Sequence, residues 1–257
     1  MRHVSDFHGS GLPIPGVRRI AMDRPFYWLR AGWRDLKANP LPSLAYGLLF
    51  ALCGDLIILA TLDRPHLLTV SISGFFLVGP LLAAGLNELS RCNADGEKPF
   101  FIDTLHCFRR NGESLAIFGL LLALVGLMWE RFSAIAFALL GSETGIDAHA
   151  FIVSLLLSGE HTAFIATWFA LGGVLALCVF AISVVSVPMM LDHNADMPTA
   201  TVTSVRAFLL NTGPLLLWAV MLVGLTLLGF ATLLFGLVVI MPILGHATWH
   251  AYLDLVE

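Results

Sequence analysis

The chain has 257 residues, of which 58% are apolar and only 12% charged, about half the charged share of an ordinary soluble domain, and its formal net charge is -4. That balance excludes a soluble globular protein. The small net charge and the absence of a basic soluble segment also exclude nucleic acid as a partner. Six spans of about 20 residues would account for most of the length, so one membrane domain is the economical organisation.

Residues 1–23 are rich in Gly, Pro, Arg and His and have no periodicity, so a disordered cytoplasmic tail is expected there, with a membrane domain over residues 24–257. No apolar run with a small-residue cleavage site precedes Arg24, so the first span itself directs insertion. From Arg24 to Ala38, Phe26, Leu29, Trp33 and Leu36 recur at helical spacing, with Arg30, Arg34 and Lys37 on another face. This predicts a helix in the headgroup plane, aromatic side down and basic side toward anionic lipid. Asn39-Pro-Leu-Pro42 then ends one helix and starts the next.

Spans are predicted at about Ser43 to Leu62, Leu67 to Leu89, Glu113 to Arg131, Thr162 to Val185, Gly213 to Ala231 and Leu233 to His250. The apolar run of the third continues past Glu130 and Arg131 to Leu140, so a bend is expected at Trp129-Glu-Arg131. Between spans three and four, Phe151 to Leu157 is too short to cross. The last two spans are joined by so short a turn that they must form a tight hairpin.

Three stretches share one pattern, an amphipathic run, an Asn and an apolar span, at Asn39, Asn111 and Asn211. Each is followed by a span closing on a Pro signature, Gly79-Pro80, Val187-Pro188 or Met241-Pro242. Such self-similarity predicts an all-α polytopic membrane bundle of six transmembrane helices arranged as three repeated hairpins, with in-plane amphipathic helices. Twelve Lys and Arg fall on the side of the termini and two, Arg64 and Arg131, on the other, which puts both termini in the cytoplasm. Glycines seven apart at Gly47 and Gly54, Gly119 and Gly126, and Gly229 and Gly236 suit close helix packing in lipid. Cys53 and Cys178 lie in apolar spans and Cys92 and Cys107 in a polar loop; all are expected as free thiols.

Two places could carry chemistry. Asp55 lies deep in span one, where an ionised carboxylate is costly; it is either an intramembrane proton or cation relay, or an acid bonded to a neighbouring helix or reaching the outer interface. The second place follows from the repeat. Four residues beyond the prolines stand Ala84, Asp192 and His246, and eight beyond stand Glu88, Asp196 and His250. Positions four apart share a helix face, so Glu88, Asp192, Asp196, His246 and His250 could converge as ligands for a transition metal, with the two His also suited to haem. The plainer reading has these groups meeting headgroups and water, as Trp249 and Tyr252 beside the His pair suggest. Phosphate-loop, GxSxG, HExxH and CxxCH signatures are absent.

The run Gly32-Trp-Arg-Asp-Leu-Lys-Ala-Asn-Pro-Leu-Pro-Ser-Leu-Ala-Tyr-Gly47, the block Gly79-Pro-Leu-Leu-Ala-Ala-Gly-Leu-Asn-Glu-Leu-Ser-Arg91 and the close Gly245-His-Ala-Thr-Trp-His-Ala-Tyr252 resemble a bacterial family of integral membrane proteins, domain-of-unknown-function family 2189. The resemblance runs from about Arg24 to the carboxyl terminus and implies no activity. Some members carry a cytochrome c oxidase label, but six spans are too few for a haem-copper core and the intramembrane His that it needs are missing. The expectation is a multi-pass protein of the bacterial inner membrane, without catalysis or a required cofactor, acting in transport, scaffolding or assembly. Its partners would be the lipid bilayer and other membrane proteins or further copies of itself. The alternative is a metal- or haem-binding protein associated with the respiratory chain.

Overall fold

The computed structural model describes residues 15–61, 83–97, 99–106, 111–141 and 162–257. Among these the regular structure is helical: α1 (Arg24–Ala38), α2 (Pro40–Thr61), α3 (residues 83–94), α4 (Phe101–Thr104), α5 (Gly112–Gly141), α6 (Thr162–Ser183), α7 (Ser186–Asp192), α8 (Met197–Leu210), α9 (Thr212–Ala231) and α10 (Leu237–Leu255). Four stretches in these helices are long and apolar enough to cross a membrane: Pro40–Ile57, Gly112–Ala136, Ile165–Asp192 and Thr212–Ala231. Their outward faces are lined by aliphatic side chains, such as Leu48, Leu52, Leu56 and Leu59 on α2 and Val220, Val223 and Leu227 on α9. Water would penalise such a surface and hydrocarbon accepts it. The chain is an all-helical, multi-pass membrane protein.

Six spans were expected, and the other two fare differently. Most of span two, residues 67–82, lies outside the described residues, and α3 is its described end. The sixth corresponds to α10, which starts at Leu237 rather than Leu233 and whose second half carries His246, Thr248, His250 and Asp254. Those groups keep its hydropathy below that of the four. The turn before it is tight, as expected, and puts Leu233 and Leu234 at φ of 52° and 66°. Side chains rarely adopt that left-handed region, and Leu234 holds it while buried against Gly54. The bend expected at Trp129-Glu-Arg131 is not a helix break, because α5 is one uninterrupted helix through Gly141.

The core sits at the end of the bundle where the termini meet. There α10 packs against both α1 and α2. Glycine makes this possible: a Cβ on Gly47 would strike the backbone carbonyl of Val238, and one on Gly32 the carbonyl of Ile243. Backbones therefore touch where no side chain intervenes. Trp28, with no exposed surface, is set edge-on to Trp218 with ring centroids 5.6 Å apart.

The face of α1 that packs on the protein is not the aromatic one. Pro25, Trp28, Ala31, Gly32 and Leu36 are buried, whereas Phe26 and Trp33 join the exposed face. On that face the cations stack on aromatic rings, Arg24 4.3 Å above Tyr27 and Lys37 5.0 Å above Trp33. That face is set by Gly32, the residue that admits the α10 backbone, which carries Trp28 and Asp35 inward with it.

Of the segment expected as a disordered tail, residues 15–23 are described and 16–18 are fixed to the carboxyl terminus. Val17 bridges antiparallel to Val256, Arg18 N–H donates to the Leu255 carbonyl at 2.9 Å, and the Glu257 N–H donates to Gly16 at 3.0 Å. The Arg18 guanidinium donates at 2.6 Å to the carbonyls of Leu253, in the last turn of α10, and of Val256 just beyond it. The last carbonyls of a helix lack internal partners, and Arg18 supplies them here.

Candidate functional site

The residues that could carry chemistry gather where α1, α2, α3 and α10 meet. Three turns of α1 bring Asp35 inward on the same face as Trp28. The first turn of α2 contributes Ser43, whose hydroxyl donates back to the Asn39 carbonyl at 2.7 Å. From α3 comes Ser90, and from α10 come His246 and His250, four apart and on one face.

His246 has no exposed surface and both of its ring nitrogens are engaged. Nε2 lies 2.9 Å from Ser43 Oγ, and Nδ1 lies 2.7 Å from Ser90 Oγ. The Ser90 hydroxyl is also 2.7 Å from Asp35 Oδ2, and His250 Nε2 is 2.9 Å from that same oxygen. A continuous polar chain thus runs from His250 through Asp35, Ser90 and His246 to Ser43, closed off from solvent except at the His250 and Asp35 end, where the side chains are 23% and 16% exposed. Burial works against ionisation of Asp35, but the hydrogen bonds from His250 and Ser90, with the charge of His250, outweigh it and hold its carboxyl below the ordinary carboxylate value.

The five residues read from the Pro-centred repeat do not meet at one point. Glu88, nearly buried, is held by the Arg91 guanidinium through Nη2 at 2.7 Å and Nε at 2.9 Å. Asp192 accepts the Tyr252 hydroxyl at 2.8 Å and has His193 3.4 Å away. Asp196 is exposed at the start of α8. Only His246 and His250 share an environment. Among the described residues no group of three or more His, Cys, Asp and Glu is placed to hold a metal ion. Both ring nitrogens of His246 and Nε2 of His250 are bonded within the protein.

Asp55 stands on the exposed face of α2 beside Leu52 and Leu56.

The order Asp35, Ser90, His246, Ser43 has the logic of an activated nucleophile, an acid fixing an imidazole that draws a hydroxyl proton. Ser43, however, has no exposed surface, so no substrate atom can reach its Oγ. The groove beside it, ≈ 450 Å³, is lined by Asn39, Pro40, Leu41, Pro42, Pro99, Phe100 and Phe101, and none of these titrates. The arrangement ties four helices together around a buried hydroxyl.

Residues 67–192 match the model of a family described as "Predicted integral membrane protein (DUF2189)". Over that stretch, just under half of its length, the chain is similar to this family. The match agrees with the apolar helices, and of the five network residues the family stretch contains only Ser90. No curated protein and no solved structure matches the chain.

Sequence reasoning found His246 and His250 but missed Asp35, Ser43 and Ser90. For Asp35 a signal existed: it stands seven residues after Trp28 and three after Gly32, an acid on the stripe that packs inward. Ser43 and Ser90 carried none, because single hydroxyls in apolar surroundings are common.

Proposed function

We propose that this chain is a non-enzymatic component of the bacterial inner membrane, a six-span scaffold that acts without a bound cofactor and docks other membrane proteins or further copies of itself. The observation that carries this reading is the network around His246. Four helices spend their polar side chains on one another in a site sealed from substrate, which is a device for fixing helices rather than for turning over a ligand.

Six spans in three out-and-back hairpins are supported by the three repeated asparagines. The Asn39 amide donates to the Asn93 side chain, in the last turn of α3. Asn111 donates to the carbonyls of Met190 at 3.0 Å and Ala195 at 2.8 Å, around the end of α7. Asn211 accepts from Ile20 N–H at 2.9 Å and donates to Arg18 O at 2.9 Å, in the segment pinned to the end of α10. In each repeat the residue that opens the hairpin is bonded at the place where the chain comes back. Every excursion then crosses an even number of times, and the Leu67 to Leu89 stretch supplies the return after α2. The basic residues around the termini favour the cytoplasm for this side.

Scaffolding predicts an assembly in the membrane. The full chain extracted in mild detergent and analysed by native mass spectrometry should run in a complex heavier than its own 27.9 kDa. Asp35→Asn should release it while leaving membrane insertion intact. A chain that is monomeric before and after the change would sink the scaffold reading.

A further inference from the structure

The contacts around His246 ask for more protons than its resting state has. Ser43 has one hydroxyl hydrogen, and within bonding distance it has the Asn39 carbonyl, which can only accept, and His246 Nε2. Ser90 has one hydrogen, and it faces Asp35 Oδ2 and His246 Nδ1. Asp35 is held ionised by its partners, so Ser90 donates to it. His246 Nδ1 must then be the donor to Ser90, which fixes the neutral ring as the Nδ1–H tautomer. The Leu86 carbonyl, also bonded to the ring, can only accept and so takes an N–H as well. Nε2, left without a hydrogen, takes the Ser43 hydrogen at the expense of the Asn39 carbonyl.

We propose that Nε2 of His246 is a buried proton-binding site, and that a proton taken up there returns the Ser43 hydroxyl to the Asn39 carbonyl at the junction of α1 and α2. The exchange balances: a proton from solvent forms the Nε2–H bond, the Ser43 hydrogen leaves Nε2 for the carbonyl, and no covalent bond to Ser43 breaks. With the added proton all four contacts are made at once. The added charge is answered by Asp35, one hydroxyl away on α1.

Among the described residues the charged or titrating groups that act on the ring are Asp35 on α1 and His250 on α10 itself; α3 also carries the Glu88 and Arg91 ion pair. From α2 comes only the Ser43 hydroxyl. Proton uptake thus reaches Asn39, the residue whose side chain also closes the first hairpin onto Asn93. The junction is bonded differently in the two protonation states.

Imidazole nitrogen NMR on the full chain in nanodiscs, assigned with His246→Gln, tests this. At pH 8 the His246 ring should carry hydrogen on Nδ1 and none on Nε2, and on acidification to pH 4 the second proton should appear on Nε2 with a concerted shift of the Asn39 carbonyl carbon. Asp35→Asn should weaken proton binding about tenfold or more, a midpoint lower by at least about one pH unit. An Nε2–H ring at pH 8 in the parent, no second proton by pH 4, or a midpoint unmoved by Asp35→Asn would each overturn the proposal.

Discussion

Asn211 and Arg18 are 193 positions apart, yet the side-chain amide of one donates to the backbone carbonyl of the other at 2.9 Å. The asparagine is 3% exposed, and its oxygen accepts the Ile20 N–H as well. One side chain therefore joins the start of α9 to the segment that clasps the end of α10. Replacing it leaves buried backbone groups without partners. Asn211→Ala should lower the unfolding free energy in detergent by about 2–4 kcal/mol, on the basis of roughly 1 kcal/mol per hydrogen bond plus the cost of a stranded buried group. A change below about 0.5 kcal/mol would show that the clasp is incidental.

The close packing of α2 on α10 makes a graded prediction. A Cβ at Gly47 meets the rigid backbone of Val238, whereas one at Gly54 meets the tip of the Leu234 side chain, 2.8 Å away. Gly47→Ala should destabilise by about 1–3 kcal/mol and Gly54→Ala by less, because a side-chain terminus can turn aside and a carbonyl cannot. Thermal melts of both variants in one detergent decide the order, and equal losses would mean that α2 simply slides.

Much of this was legible in the sequence, and the limit of legibility has a physical form. Apolar length and the Asn and Pro punctuation are local, so the membrane class and the special place of Asn39, Asn111 and Asn211 could be read directly. Gly47 and Gly54 were readable for the same reason. The network was not, because it depends on how four helices turn toward one another. His246 and His250 announced themselves as a pair on one face, but nothing in their spacing said that Asp35 and two serines, rather than Glu88 or Asp196, would face them. The protein-facing side of α1 was hidden in the same way, because it depends on Gly32 admitting the α10 backbone.

Asp35 predicts a pH dependence of stability. Its folded carboxyl is held below the ordinary value of about 3.9, so the stabilisation it brings is fully present above that value and is lost as pH falls through the lower folded value. Asp35→Asn should therefore be less stable than the parent at pH 6 to 7, and the gap should narrow as pH falls below about 4. Chemical denaturation of both proteins across this range gives the comparison. A constant gap would assign the loss to packing alone.

Topology is the last prediction, and burial decides how it must be tested. Cys92 is on the side argued to be cytoplasmic, but at 6% exposure a bulky reagent cannot reach it from either side. Asp95, exposed just beyond α3, and Leu233, 79% exposed at the turn between α9 and α10, are the useful positions. The bonds of Asn39 to Asn93 and of Asn211 to Arg18 put Asp95 on the side of the termini, and α9 carries the chain away from Asn211 to Leu233. At about 1.5 Å per residue, a 20-residue helix such as α9 is about as long as the hydrocarbon core is thick. In a background with the native cysteines replaced by serine, Leu233→Cys should react with an impermeant maleimide in intact cells. Asp95→Cys should react only once the membrane is opened. Labelling of both from outside would break the hairpin reading, and the reverse pattern would invert the orientation drawn from Lys and Arg.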